Sequence, residues 1–279
     1  MAGILYLCAT PIGNLGDMTA RCIEILKTVD LIAAEDTRNS IKLLNHFDIH
    51  TPMTAYHEFN RFDKADDLVR QLLEGKNIAC ITDAGTPGIS DPGEVLVQKA
   101  LDAGIEVTSV PGACAAVSAL VISGLPTRRF RFEAFLPADK KERREILQEI
   151  RNETATIVIY EAPHRLLRTL TDLAEAFGER RISLCKELTK THETVIRTTL
   201  TAAVKEYTEE EPRGEYVLVI EGKSKEEIRK ETAAAFETLS LEEHMKRYED
   251  QGLDRKEAMK KVAADRGISR REVYQQLLK

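Results

Sequence analysis

Asp83-Ala84-Gly85-Thr86-Pro87-Gly88-Ile89-Ser90-Asp91-Pro92-Gly93 is the stretch on which the fold of this chain turns. It follows an apolar run, Ile78-Ala79-Cys80-Ile81-Thr82, and leads into a helical pattern beginning near Glu94. A strand that ends in a Gly/Pro-rich loop and then enters a helix is the ligand-binding corner of an open α/β sheet. Three glycines and two prolines fix an irregular backbone there, while Asp83, Thr86, Ser90 and Asp91 supply polar groups. An ordinary connection needs one or two such residues, so the density marks a binding loop.

Outward from that loop, short β-rich runs alternate with helical patterns. Strands are expected at 4–9, 31–34, 78–82, 106–110, 131–135, 156–160, 182–186 and 216–221. Within 18–29, Met18, Cys22, Ile25 and Val29 fall on one helical face. Pro163 opens and Gly178 stops a second helix over 166–177. Such alternation predicts an α/β protein with mostly parallel, helix-covered sheets. The small residues Ala113, Ala115, Ala116, Ser118 and Ala119 predict a closely packed helix after a first boundary near 111–124. The charged stretch 222–231 reads as a linker, giving expected units of 1–112, 113–224 and 225–279. In the last, Ala258, Val262 and Ala263 precede the turn Gly267-Ile268-Ser269, after which Val273, Tyr274 and Leu277 resume. That is the pattern of a helix-turn-helix-like pair.

Composition narrows the function. With 279 residues, 43% hydrophobic and 31% charged, the chain suits two globular domains. No run approaches the ~18 apolar residues of a membrane span, and the N-terminal apolar run reads as a strand, not a signal peptide. Five cysteines without a C-x-x-C pair argue for reduced thiols in a cytoplasmic protein, not a disulfide scaffold or zinc ribbon. No metalloprotease, P-loop or nucleophile-elbow motif occurs, and no metal site is expected. The net charge is −6, yet residues 251–279 carry eight Lys+Arg against four Asp+Glu. A second basic region holds Arg128, Arg129, Arg131, Lys140, Lys141, Arg143 and Arg144. Basic patches on an acidic body can steer a polyanion to one face. Arg128, Arg129, Lys140, Lys141, Lys260, Lys261, Arg270 and Arg271 are the candidate nucleic-acid contacts; a solvated helix surface is the competing reading.

Two further loops follow strands. Thr10-Pro11-Ile12-Gly13-Asn14-Leu15-Gly16 allows close backbone approach but is not a dinucleotide fingerprint. Pro111-Gly112-Ala113-Cys114-Ala115-Ala116 has side chains small enough to admit a flat ligand. Polar clusters stand at other strand ends: Glu35-Asp36-Thr37-Arg38, His57-Glu58-Phe59-Asn60, Tyr160 to Arg165 and Lys186 to Glu193. Each alone is an ordinary cap or ion pair; gathered on one edge beside the rigid loop they make a cleft.

Pro11-x-Gly13-x-x-Gly16, Glu35-Asp36-Thr37-Arg38, Asp83 through Gly93, Pro111-Gly112, Lys186-Glu187-Leu188-Thr189-Lys190 and Gly214-Glu215 together resemble one family. It is the bacterial 16S ribosomal RNA cytidine 2′-O-ribose methyltransferases of the tetrapyrrole methylase superfamily. The resemblance runs from about residue 3 to the end of the chain. It implies two α/β/α domains, S-adenosyl-L-methionine in the cleft between them, a homodimer, and a helical C-terminal extension that helps hold 16S RNA of the 30S subunit. Carried over by position, it implies methyl-donor contacts at Asp83, Ala84, Gly85, Thr86, Cys114, Ala115, Glu161 and Leu188, with Pro11, Gly13 and Ser90 completing the donor loops.

Methyl transfer to a ribose hydroxyl also requires proton removal by a group within hydrogen-bond reach. Glu187 with Lys186 is the first choice, because adjacent opposite charges tune one another; Glu35, Asp36, His57 and Asp83 stand behind it. Two other readings compete. A tetrapyrrole methylase would share the fold and donor without needing the basic tail, and a non-catalytic RNA-binding protein would need the tail but not the rigid loop.

Overall fold

The buried strands and amphipathic helices assemble two five-stranded sheets in succession, followed by a helical tail. The computed structural model describes residues 1–236 and 239–278. The first sheet contains β1 (Ile4–Cys8), β2 (Leu31–Ala34), β3 (Met53–Ala55), β4 (Ile78–Ile81) and β5 (Glu106–Val110), in the order β3-β2-β4-β1-β5. Every pairing in it is parallel. Helices α1 (Ala20–Thr28), α2 (Thr37–His46), α3 (Arg61–Leu73) and α4 (Gly93–Asp102) cover it. Alternate residues of a strand face opposite sides, and β4 shows the result. Ile78 and Cys80 pack with Leu68, Leu72 and Leu96 of α3 and α4, while Ala79 and Ile81 pack with Cys22, Leu26 and Leu44 of α1 and α2. A strand buried on both faces reads as a continuous apolar run, as 78–82 does.

The next helix is α5 (Ala115–Ile122), which crosses to the second sheet. That sheet comprises β6 (Phe130–Phe135), β7 (Thr156–Glu161), β8 (Arg181–Lys186), β9 (Thr194–Thr199) and β10 (Tyr216–Ile220), in the order β6-β7-β10-β8-β9. One face of it packs on α7 (Leu166–Phe177) and α8 (Leu200–Glu209), preceded in the chain by α6 (Lys140–Glu149). Ala116, Ala119 and Leu120 of α5 lie on the other face against Val158, Cys185, Val217 and Val219. This close packing is what the small residues of α5 serve.

Parallel pairing prevails over the whole chain, but the second sheet is mixed. Only β6 and β7 are parallel there; β10 runs antiparallel to β7 and β8, and β9 to β8. The reason is local, since β8 and β9 are joined by a short loop with no crossover helix, and such a loop can only return the chain antiparallel. Two strands escape the sequence pattern. β3 has three half-buried residues, and β9, TVIRTT, is a half-exposed edge strand whose polar residues hide its alternation.

The charged stretch 222–231 is not a loose linker. Its first part is fastened to the second sheet, and the rest is helical as α9 (Lys225–Ala235). Ser224 Oγ accepts from Glu227 N at 3.1 Å and the Glu227 carboxylate accepts from Ser224 N at 2.9 Å, a capping box that satisfies two helix-end donors. Lys223 is nearly buried, donates its backbone N–H to Glu153 O and pairs with Glu231. Beyond it, α10 (Leu241–Glu249), α11 (Arg255–Arg266) and α12 (Arg270–Leu277) share a small core of Leu241, Met245, Ala258, Val262, Ala263 and Val273. Gly267 ends α11 at φ 64° and Ser269 caps α12, as the Gly-Ile-Ser turn predicts. Among the described residues no helix is long and apolar enough to cross a membrane, and no cluster of His, Cys, Asp or Glu could hold a metal ion.

The basic region of 128–144 divides in two. Arg128, Arg129, Lys140, Lys141 and Arg144 are exposed. Arg131 is instead consumed by Glu133 and Glu149. Arg143 is buried, donating Nε to Asp172 Oδ2 at 2.7 Å and Nη1 to Pro137 O at 3.1 Å. Arg143 is thus a fastener between α6 and α7, not a surface charge. Arg143→Ala strands the Asp172 carboxylate, whose side chain keeps 25% of its exposure. Urea unfolding is expected to show a loss of about 3 kcal/mol, the lower end for a broken buried pair. Lys140→Ala and Lys141→Ala should be near neutral in the same measurement.

Candidate active site

The carboxyl ends of β1 and β4 are tied together before any ligand is considered. Thr10 N donates to Gly85 O at 2.9 Å and Gly85 N donates to Thr10 O at 3.1 Å, while Thr10 Oγ1 donates to Thr82 O at 3.0 Å. The 83–93 loop is then closed on itself. The Asp91 carboxylate accepts from Gly88 N and Gly93 N, each at 2.9 Å, and burial raises its pKa despite those donors. Gly85 has φ 92°, and a Cβ there would sit 3.2 Å from Ile12 Cγ2 and 3.5 Å from Ala113 O. Ser90 holds φ 67° without being glycine, a conformation that costs energy and persists only where the surroundings enforce it. Thr86 Oγ1 donates to Ala113 O at 3.0 Å, so the second and third loops are pinned to each other as well.

Opposite stands the carboxyl end of β7 and the segment after β8. Tyr160 Oη accepts from Ala116 N at 3.1 Å, and burial pushes its pKa up to about 12, so it stays a neutral phenol. Glu187 and Thr189 both have positive φ, 52° and 67°. Glu187 Oε1 accepts from Glu215 N at 2.8 Å and Lys190 Nζ at 2.9 Å. These donors, the backbone N–H first and Lys190 after it, hold the Glu187 carboxyl below its ordinary pKa. Burial works against the Lys190 ammonium, but the Glu215 and Glu187 carboxylates outweigh it and keep that group charged. Gly13, from the first sheet's loop, lies against this segment: a Cβ there would meet Lys190 Cγ at 2.5 Å.

Between the two halves lies a cavity of about 430 Å³, a size suited to a small-molecule ligand. Its walls bring together Asp83, Ala84, Gly85, Thr86, Ser90, Cys114, Ala115, Glu161 and Leu188 from the expected donor set, along with Glu35 and Glu187. Pro11 is buried and Gly13 serves the contact with Lys190, while Ile12 between them lines the cavity. Glu161 reaches the wall with its carboxylate already committed to Thr169 Oγ1, Ala162 N and Arg165. Sequence reasoning missed Ile12, Phe135 and Lys190 as wall residues. Lys190 lay within a quoted cluster, whereas nothing in the spacing marked Phe135.

The polar clusters separate into wall and framework. Glu35 Oε2 accepts from Thr82 Oγ1 at 2.5 Å and Asp83 N at 3.1 Å, bracing β2 against β4. Asp36 lies outside the wall, caps α2 and grips Arg38, whose guanidinium holds its pKa down at about 2. His57 also lies outside it, in a turn closed by its N–H donating to Asn60 Oδ1 at 2.8 Å. Lys186 does not reach the cavity, because successive residues of β8 face opposite sides and Cys185 takes the cavity side. The expected Glu187–Lys186 pair is therefore corrected: the ammonium that grips Glu187 is Lys190. Asp83, by contrast, is raised by burial, with Asn39 Nδ2 at 3.2 Å only partly offsetting it.

Comparison with known proteins places this geometry. Tetrapyrrole (corrin/porphyrin) methylases match residues 4–204. Ribosomal RNA small subunit methyltransferase I of Synechocystis sp. is 49% identical over 274 residues, covering 98% of this chain and 96% of its own. The chain belongs to this methyltransferase family. Its relative from Halalkalibacterium halodurans is also 49% identical, over 98% of this chain and 93% of its own. The solved uroporphyrin-III C-methyltransferase of Thermus thermophilus, complexed with S-adenyl homocysteine, shares the fold at TM-score 0.55 and 17% identity. It covers 78% of this chain and 97% of its own.

The wall chemistry of this family member fits a sulfonium-bearing methyl donor. Apolar Ile12, Ala84, Ala115 and Leu188 suit a flat base, and the carboxylates of Glu35 and Asp83 favour the donor's positive charges. Gly85→Val would force a side chain onto Ile12 and Ala113 at a backbone angle valine avoids. It is expected to weaken S-adenosyl-L-methionine binding about tenfold or more by calorimetric titration, and Asp83→Ala should do the same by removing a charge. Wild-type affinity in both variants would remove this loop from the site.

Proposed function

We propose that this chain transfers a methyl group from S-adenosyl-L-methionine to the 2′-hydroxyl of a cytidine in 16S ribosomal RNA of the small subunit. The observation that carries the reading is the reach of the likeness. The methylase family match ends at residue 204, whereas the ribosomal RNA methyltransferases of Synechocystis sp. and Halalkalibacterium halodurans align over 98% of the chain. The helical tail is thus shared with enzymes named for ribosomal RNA, which favours RNA over a tetrapyrrole substrate. The cleft itself disfavours a purely RNA-binding protein, since a binding module has no use for a walled cavity behind strained loops.

When bound, the donor supplies an electrophilic methyl group; the chain's own residues position the partners and take up a proton. Glu187 suits the second task. Its Oε1 is occupied by Glu215 N and Lys190, which fixes the carboxylate plane and leaves Oε2 without a protein donor among the described residues. The lowered pKa keeps it ionised, which leaves Oε2 able to accept a hydroxyl proton while making the carboxylate a weaker base. Lys190 positions Glu187, and Glu215 completes the pairing of the ammonium at 2.8 Å. Arg128, Arg129, Lys140 and Lys141 on the second domain, with Lys260, Lys261, Arg270 and Arg271 on the tail, are exposed and available for phosphate contacts.

Mass spectrometry of 16S RNA before and after incubation of unmethylated 30S subunits with protein and donor tests the reaction. A new 2′-O-methylcytidine is the expected product; methylation of a tetrapyrrole instead would overturn the assignment. Single-turnover assays then address the base. Glu187→Gln should slow transfer by about 10²–10⁴-fold with little change in donor affinity. Lys190→Met removes one of the interactions that depress the Glu187 pKa, so that pKa rises and the acid limb of the rate profile moves to higher pH. Lys186 lowers that pKa only through its charge at a distance, so Lys186→Met should move the limb less than Lys190→Met, and equal damage from both lysines would refute the pairing.

The tail makes an independent prediction. Replacing Lys260, Lys261, Arg270 and Arg271 with Ala should spare donor binding, lower methylation of 30S subunits and flatten the salt dependence of RNA binding. An unchanged salt slope with full activity would reduce the tail to a structural cap.

A further inference from the structure

Phe135 is held in the cavity wall by an irregularity that the fold itself does not require. In the parallel β6–β7 pair, Phe130, Arg131 and Phe132 face Thr156, Ile157 and Val158 in step, but Tyr160 is then opposed by Phe135. One residue has been inserted, and Ala134 takes it up at φ 50°. A regular strand would put Ala134 opposite Tyr160 and turn Phe135 to the other face. The bulge reverses this, bringing Phe132 and Phe135 to the same side edge-on to the Tyr160 ring, at 5.0 and 5.6 Å. Phe132 is half-buried in the core, whereas Phe135 lines the cavity and remains 53% exposed. Bulges of this kind re-aim side chains beside active sites, and the alanine in a left-handed conformation records what that costs.

The surroundings say what such a ring would meet. β6 is an edge strand, with Arg128 and Arg129 immediately before it and Lys140 and Lys141 five and six residues after Phe135. The strand is thus flanked in the chain by cationic groups on both sides, with the half-exposed ring where it enters the cavity. A polyanion following this edge would bring its bases past Phe135. A ribose hydroxyl can reach the cavity only if its nucleotide leaves the stack, and an unstacked base recovers energy on an aromatic face.

We propose that Phe135, braced edge-on by Tyr160 and aimed by the Ala134 bulge, is the stacking platform for the base of the nucleotide that is methylated. The role rests on the RNA methyltransferase reading above, and it makes Phe135 a substrate-positioning residue with no part in donor binding.

The chain has no tryptophan, so Phe135→Trp introduces a single fluorescent reporter at the platform. With S-adenosylhomocysteine present, a short single-stranded RNA containing cytidine should quench that indole, and the same RNA with an abasic ribose at that position should quench it much less. In single-turnover assays on 30S subunits, Phe135→Ala should lower kcat/KM by roughly 5- to 150-fold, the range of one lost base–aromatic stack. Phe135→Tyr should restore most of it, and donor affinity should hold within about twofold across the series. Tenfold loss of donor affinity in Phe135→Ala would assign the ring to the donor's adenine and overturn the proposal. Quenching equal for the two RNAs would overturn it too, as would an indole shielded by a second copy of the chain or unchanged kcat/KM in Phe135→Ala. Failure of the wild-type protein to methylate 30S subunits would instead defeat the underlying reading, while the fluorescence comparison still reports on the platform.

Discussion

The reciprocal hydrogen bonds between Thr10 and Gly85 are the constraint on which the cleft depends. Neighbouring parallel strands have no reason to stay together past their ends, and the loops leaving them ordinarily diverge toward their own helices. Here the chain after β1 and the chain after β4 are joined by an antiparallel bridge across the sheet's carboxyl edge. The bridge needs glycine at 85, because φ there is 92°. It sets Ile12 over Gly85, and through Thr86 and Ala113 it sets where α5 begins. Since α5 packs on the second sheet, one pair of backbone hydrogen bonds links the floor of the cavity to its opposite wall.

The acids of the cleft show how the same residue type is divided between architecture and chemistry. Asp91, Glu161 and Asp36 each accept several donors and are spent on holding a loop, a strand–helix junction and a helix end. Glu35 braces one strand against another with Oε2. Glu187, like Glu35, takes both its donors on one oxygen, but one of its donors is the Lys190 ammonium. A carboxylate fixed by one oxygen is oriented without being saturated, which is the condition a general base must meet. Asp83 is different again: burial leaves it the more basic, but its two oxygens are turned toward Asn39 and Asp36 N.

Much of this was legible in the sequence because it is local. The apolar run at 78–82 and the Gly/Pro loop after it announce a buried parallel strand and its binding corner, and the Gly267-Ile268-Ser269 turn announces the last helix pair of the tail. The Ser224–Glu227 capping box was equally visible, yet the density of charge around it disguised a helix as a linker. What stayed hidden depends on long-range geometry. β9 carries Thr and Arg because it is an edge strand, so its alternation is faint. Lys186 and Lys190 are both near Glu187 in sequence, and only the turn made by positive φ at Glu187 and Thr189 decides that Lys190 folds back to meet it. Arg143 reads as surface charge until α7 supplies Asp172.

The two halves of the molecule therefore do different work with different sheets. An all-parallel sheet gathers every loop that follows a strand at one edge, which suits a site built from backbone, glycine and short side chains. The mixed second sheet cannot do this, since its antiparallel strands send successive connections to opposite ends. It contributes to the cavity through a few re-aimed residues instead: Tyr160 at the end of β7, Glu187 and Lys190 in a strained turn, and Phe135 behind a bulge. Each of the latter departures carries a non-glycine residue at positive φ, at Ala134, Glu187 or Thr189. Within the second sheet's half, such strain falls at these three positions beside the cavity, as it does at Ser90 in the first sheet's loop, and there it belongs to the site and not to the fold; a large substrate, unable to enter the cavity whole, has to present one nucleotide to it.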